Sequence, residues 1–402
     1  MTKNLAQRIA VTLGALLLVR LGEFIPLPGV NVEVWEILTR GQGSGVGAIF
    51  GASSGSARRL AIFALGLQPY VTAAVLVQLA TIVSRRLRAH ARAAEGGRAA
   101  MVRYARYLTV VLTALQALSV ANALQQVDGV VTMPGALFIA STMLTLTGGT
   151  LFLAWVAEQI TLRGIGNGIA LILLVGIVTE IPAAIAYALE LMRQYRVTSG
   201  QLAAVVPIVV AVTAAVVTME LARRRLPLRF SAREIGSRKI DARSSDLVLK
   251  LNPAGVIPVL LASFVMSILI AVIGFFVGFD SGLVAQLRPA GTVYLILYAA
   301  LIVFCTFLYT ASVLDPEETT ERLKLLGGRL ATVEPGEATA DYLDRTVSRT
   351  ALLGAVYLAL VCLLPDILIS YARLPLYFGG TALLIVVCTL LDLDAQFRAG
   401  RK

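Results

Sequence analysis

Ten apolar runs limit this chain more than any other feature. They cover roughly residues 6–25, 60–83, 104–124, 135–157, 166–187, 201–222, 254–278, 290–313, 347–366 and 375–393. Each is near the ~20 residues a helix needs to cross the hydrocarbon of a bilayer. They are far longer than the strands of a membrane barrel. In lipid, every backbone polar group has to pair within a helix or a closed barrel. The expected fold is therefore all-α, a polytopic membrane protein of ten transmembrane helices. Only 15% of the 402 residues are charged, against about 25% in a soluble domain. The first run ends in LGEFIPLPGV and lacks a small-residue cleavage site, so it reads as a retained span.

Charge sets the expected orientation. With the N-terminus inside, 27 of the 35 basic residues fall in inner segments and seven in outer ones, with Arg20 inside the first span. That asymmetry places both termini in the cytoplasm. Five spans precede residue 190 and five follow. An odd number per half gives the halves opposite orientation, as in inverted-repeat transport proteins. The expected units are 1–190 and 191–402, the second carrying cytoplasmic loops 223–250 and 315–345.

The fourth and fifth runs meet at Trp155–Gly176, where Glu158, Gln159 and Arg163 lead into Gly164, Gly166, Asn167 and Gly168. Glycines around an asparagine suit a tight reversal followed by a helix start. Residues 43–57 are rich in Gly, Ser and Ala, with Ile49 and Phe50 the only bulky side chains. They are too short to span, and suit either a loose outer loop or a short re-entrant helix packed inside protein. Loop 84–103 holds six arginines against Glu95, and loop 223–250 opens with RRRLPLRF. Such loops serve as topology determinants that touch lipid headgroups, or dock an acidic partner such as ribosomal RNA phosphates or a cytosolic motor. The 315–345 segment is acidic by comparison and carries glycine pairs and Pro335, so it is expected to fold as an ordered loop.

Material for catalysis is scarce. Cys305, Cys362 and Cys388 lie inside apolar runs without metal-ligand spacing, and the single histidine, His90, sits in a basic loop. There is no GxxxxGK[ST] phosphate loop. No cofactor or metal is expected, and the chain is not expected to be an enzyme.

The segment GGTLFLAWVAEQITLRGIGNGIALILLVGIV at 148–178 resembles the fourth-to-fifth helix signature of the SecY family, central subunits of the bacterial protein-conducting channel. Other blocks agree in order: LGEFIPLPGV at 21–30, IFALGLQPYVTAAVLVQL at 62–79, LKLNPAGVIPVLLAS at 249–263, DPEETTERLK at 315–324, ALLGAVYLALVCLLP at 351–365 and FGGTALLIVV at 378–387. The resemblance implies a clamshell of two inverted five-helix halves around an hourglass pore for unfolded polypeptide. It also implies a short plug helix, an aliphatic ring at the waist, and a lateral gate between the second/third and seventh/eighth helices.

Matched by motif, the ring is expected at Leu67, Val71, Ile169, Leu173, Leu260 and Ile385. The pairs Leu67/Val71 and Ile169/Leu173 are spaced i, i+4, so each faces one way from its helix. Branched aliphatics can close a pore by dewetting. The plug falls at about 44–56, including Ile49, Phe50, Gly51, Ala52 and Ser53. Gln78 and Asn252 are the expected polar pair of the gate. Arg238, Lys239, Arg243, Lys250 and Glu334 fall on the expected docking surface for cytoplasmic partners. The family usually has Gly-Ile-Arg-Pro-Gly at the tip of the 315–345 loop. Here Ala331-Thr332-Val333-Glu334-Pro335-Gly336 reverses the charge at the arginine position, which puts docking of the SecA motor in doubt.

The resemblance thus implies a channel that translocates preproteins across, and inserts membrane proteins into, the bacterial inner (plasma) membrane. Implied partners are small SecE and SecG type subunits, a ribosome or SecA, signal peptides with nascent preproteins, and the lipid bilayer. Two other classes were weighed. A secondary transporter of a small solute calls for ionisable residues near mid-membrane, whereas Arg20, Glu23, Glu158, Glu220 and Asp392 lie toward span ends. An intramembrane enzyme calls for histidines or paired carboxylates that the spans do not supply.

Overall fold

A computed structural model describes residues 2–35, 60–84, 86–87, 90, 97–194, 198–230, 233–235, 238–240, 244–277, 282, 286–287, 291–313, 316–325, 328–330, 337–372 and 379–400. The helices, in chain order, are α1 (Thr2–Gly22), α2 (Gln68–Val83), α3 (Gly97–Gln125), α4 (Ala136–Arg163), α5 (Gly168–Val178), α6 (Ile181–Arg193), α7 (Ser199–Leu221), α8 (Ile257–Val277), α9 (Thr292–Val313), α10 (Pro316–Leu325), α11 (Glu337–Ala372) and α12 (Gly380–Gly400). Each expected span contains helix, although one run divides between two helices and another begins outside its helix. Among the described residues, six helices are long and apolar enough to cross a membrane: Ala99–Gln125, Ala136–Arg163, Ser199–Leu221, Ile257–Val277, Thr292–Ala311 and Ala338–Leu368. By length and hydropathy, then, six of the ten expected spans stand out, and the chain is a multi-pass membrane protein.

The others depart from the expectation for local reasons. The run 60–83 becomes helical only at Gln68, with proline in the first turn. Its first eight residues follow the chain after α1 instead: the Leu27 amide donates to the Leu60 carbonyl at 2.8 Å and the Ile62 amide to the Ile25 carbonyl at 3.0 Å. The run 166–187 breaks at Thr179 and Glu180 into α5 and α6, where Pro182 begins a new helix. A proline there cannot donate back into the preceding turn and collides with the carbonyl four residues earlier. Charges thin out the apolar character of α1 (Arg8, Arg20) and α12 (Asp392, Asp394, Arg398).

Large apolar side chains cover the outside: Leu13, Leu17 and Leu21 on α1, Leu137, Leu144 and Trp155 on α4, Phe275 and Phe276 on α8, Leu352 and Leu360 on α11 are all exposed. Water does not tolerate such a surface, but lipid does. Several buried hydroxyls in the helices bond their own backbone. Thr109 donates to Ala105, Thr113 to Thr109 and Thr306 to Ile302, each at 2.7 Å.

Packing divides the helices into two sets. In the first, α4 contacts α1, α2, α3 and α5, and α2 contacts α3; in the second, α8 contacts α9, α9 contacts α11, and α12 contacts α7 and α11. The sets meet along two seams. One sets α2 and α3 against α8 and α9; the other sets α5 against α12.

The segments 223–250 and 328–330 hold β structure that an all-α reading did not include. β1 (Arg223–Phe230) lies between β4 (Ser244–Lys250) and β5 (Gly328–Leu330), and β2 (Arg233–Ile235) pairs with β3 (Arg238–Ile240). The cause is period-two alternation. Leu226 and Leu228 are buried against Leu323 of α10 and Leu343 of α11, with Leu247 and Leu249 of β4 packed beside them. Pro227 is tolerated in β1 because β5 pairs only from Leu228 onward. Leu228→Ala should remove about 2–4 kcal/mol from this sheet. Limited proteolysis of membrane-embedded protein should then cut the 223–250 segment faster, with the apolar helices still protected.

The α4–α5 reversal is built as expected. The Gly164 amide donates to the Ile160 carbonyl at 2.7 Å, ending α4. Gly166 has φ +78°, which disfavours any residue with a Cβ. Asn167 caps α5 by accepting from the Ile169 amide at 3.1 Å, and the Thr161 hydroxyl accepts from the Gly168 amide at 2.9 Å. A Cβ at Gly168 would strike the Ala157 carbonyl oxygen. Gly168→Val should push α5 off α4 and lower the thermal stability of the purified protein markedly, whereas Gly176→Ala, where a Cβ meets nothing within 4 Å, should be nearly silent.

Candidate functional site

The expected ring residues sit on the helices that form the two seams. Leu67 is the N-cap of α2 and 1% exposed. It belongs to a cluster with Phe63, Tyr70, Leu153, Val156 and Ile160, against which Ile169 and Leu173 of α5 pack. The structure thus brings three of the six together. Val71 faces the other way, packing on the cluster of the second set. Leu260 and Ile385 are half-buried, whereas Val259, Leu261 and Leu384 beside them are core. The side chains Val71, Ile169, Leu173, Leu260 and Ile385 are thus neither core nor fully open.

The expected polar pair is not formed. Asn252 is 2% exposed and lies before α8. Its amide nitrogen donates to a Glu220 carboxylate oxygen at 2.8 Å and to the Gly255 carbonyl at 3.3 Å, and its oxygen accepts from the Gly255 amide at 3.1 Å. A carboxylate at the end of α7 is the stronger acceptor, so it captures the amide. Gln78 is exposed, and its side chain hydrogen-bonds with the Tyr309 hydroxyl of α9. The polar contact across the α2/α9 seam is thus Gln78–Tyr309, and Asn252 stays within the second set.

Of the expected docking residues, Arg238 and Lys239 lie on β3, opposite Ile235 and Glu234. Lys250 is exposed at the end of β4, paired with Arg223. Arg243, Glu334 and the plug segment, including Ile49, Phe50, Gly51, Ala52 and Ser53, lie outside the described residues.

Sequence reasoning missed one network. Arg106 of α3 pairs with Glu158 of α4 at 2.5 Å, and the Tyr70 hydroxyl of α2 donates to the other Glu158 oxygen at 3.2 Å. The signal was present: opposite charges at matching depth on consecutive antiparallel spans. Treating Glu158 as a span-end charge hid it. No cluster of His, Cys, Asp or Glu that could hold a metal ion occurs among the described residues.

What this arrangement can do is physical, not catalytic. Two helix sets touch along seams with few polar contacts, and half-buried aliphatics line the helices at those seams. A family model for SecY matches residues 61–393. The protein translocase subunit SecY of Escherichia coli (strain K12) is 39% identical over 402 residues, covering 98% of this chain and 91% of its own. A solved SecY, whose plug domain is described as stabilising the closed translocation channel and maintaining a membrane seal, matches with TM-score 0.69 at 18% identity, over 99% of this chain and 92% of its own. Sec61 in the canine ribosome–channel complex from the endoplasmic reticulum matches with TM-score 0.66 at 16% identity, over 99% of this chain and 93% of its own. Those two structures bear on the fold. The family match and the near full-length sequence identity carry the assignment: the chain belongs to the SecY family of protein translocase subunits.

Proposed function

We propose that this chain is the channel through which unfolded preproteins cross the bacterial plasma membrane and membrane proteins enter it. The observation that carries the reading is the pair of seams between two helix sets, with expected ring residues on α2, α5, α8 and α12 beside them. Opening the α2/α3–α8/α9 seam gives a peptide a sideways exit to lipid, and the α5–α12 contact serves as the hinge. The two sets correspond to residues 1–190 and 191–402, each of five spans, and ten spans with both termini in the cytoplasm follow from the positive-inside charge split.

Leu67, Val71, Ile169, Leu173, Leu260 and Ile385 form the waist. An aliphatic waist offers a passing chain no hydrogen bonds to stick to, and it expels water when narrow. Gln78, through Tyr309, marks the seam that parts. Residues 44–56 act as the plug; their small side chains let a helix leave with little loss of packing. Energy comes from outside, from a ribosome or an ATP-driven motor of the SecA kind, and small SecE and SecG type subunits cover exposed helices. Arg238, Lys239, Arg243 and Lys250 contribute a basic docking surface. The solute-transporter alternative finds no support beside SecY family membership, and the family is a non-enzymatic translocase component.

Deleting about residues 45–56 should make resting channels in planar bilayers leak ions while they still insert; unchanged conductance would sink the plug assignment. Glu334→Arg should raise motor-driven translocation of a preprotein into reconstituted vesicles several-fold if the usual motor docks at that tip. No gain would mean that the motor engages another surface.

A further inference from the structure

Helix α2 is divided between two cores. Leu67 and Tyr70, at its start, are buried with α4 and α5. Val75 and Leu79, one and two turns later, are buried with Val259 and Ala262 of α8 and with Ile302 and Tyr309 of α9. When the seam parts, apolar packing alone does not decide which set α2 follows. Polar contacts add direction. Arg106 lies seven residues inside the apolar stretch of α3, and Glu158 five residues from the end of that of α4. Arg106 is half-exposed and Glu158 a quarter exposed, and the pair leaves one carboxylate oxygen turned to α2. Tyr70 is 7% exposed and donates to this pair from α2. It stands one residue before Val71 and three after Leu67.

We propose that Tyr70 is a positioning residue for the channel waist: bonded to the Glu158–Arg106 pair, it holds the first turn of α2 to the first helix set, so that Leu67 keeps its place against Ile169 and Leu173 while the rest of α2 leaves α8 and α9. The inference rests on the channel reading above. Tyr70→Phe removes the hydroxyl and keeps the ring in its cluster. Glu158→Gln keeps an acceptor but removes the charge and breaks the ion pair with Arg106.

The test uses the full chain with its translocase partners in planar bilayers, with the 45–56 deletion as a positive control. The expected result is a rise in resting ion conductance for Tyr70→Phe on the order of tenfold, the scale of losing one hydrogen bond to a charged acceptor. Glu158→Gln should leak as well, and the amount of folded, inserted protein should match the unaltered channel. A merely structural role for Tyr70 would lower the yield or the melting temperature without changing conductance per channel. Unchanged conductance in both variants, with the deletion leaking, overturns the role of Tyr70 and leaves the channel reading intact. If the deletion is silent too, the plug assignment falls with the role of Tyr70. Should Tyr70→Phe not accumulate, Glu158→Gln decides alone.

Discussion

The burial of one helix in two cores governs the rest of the molecule. α2 has 16 residues, about 24 Å at 1.5 Å per residue. Leu67 and Tyr70 pack with the first set, Val75 and Leu79 with the second. Separating the sets uncovers only a few such side chains on α2. A helix buried wholly in either core would leave the opposite side of the seam without a counterpart. The shortness of α2 belongs to the same design, since residues 60–67 are held by the backbone of the chain after α1 and do not extend the helix.

The opposite seam is built differently. In both sets a glycine opens the last helix and lies on the backbone of the one before it. A Cβ at Gly168 would strike the Ala157 carbonyl oxygen of α4, and one at Gly380 the Val361 carbonyl oxygen of α11. Small residues of this kind let helices approach closely where no hydrophobic drive exists between them and lipid. α5 and α12, fixed in this way to their own sets, are the helices that meet across the second seam. On the proposed reading, that contact is the hinge, and α2, with its divided core, gives way on the other side.

Much of this could be read in the residues themselves. The apolar runs located the six helices that are long and apolar enough to cross a membrane, because burial in lipid imposes length and hydropathy directly on the sequence. The Gly164–Gly168 reversal was legible because positive φ, capping and close approach each select a residue type. The split of 166–187 at Pro182 and the late start of α2 were not, since local breaks inside an apolar run leave hydropathy unchanged. The β1–β4–β5 sheet was hidden by the basic residues that suggested a tether, although Leu226, Leu228, Leu247 and Leu249 alternate. Pairwise polar contacts were the least legible. Gln78 and Asn252 were expected to face each other, whereas their partners, Tyr309 and Glu220, depend on how the helices rotate.

The placement of polar groups also explains how a channel of this kind can be both tight and permissive. Two carboxylates of the helices are bonded within their own sets: Glu158 pairs with Arg106 in the first, and Glu220 accepts from the neutral amide of Asn252 in the second. An unpaired charge facing the waist would draw in water and ions and would bind a passing peptide of opposite sign. Branched aliphatics do neither, so closure by dewetting and indifference to substrate sequence follow from the same side chains. On the proposed channel reading, such polar groups act on the expected waist only through backbone position, and the Tyr70 bond from α2 to Glu158 of α4 is where a single hydroxyl bears on the seal.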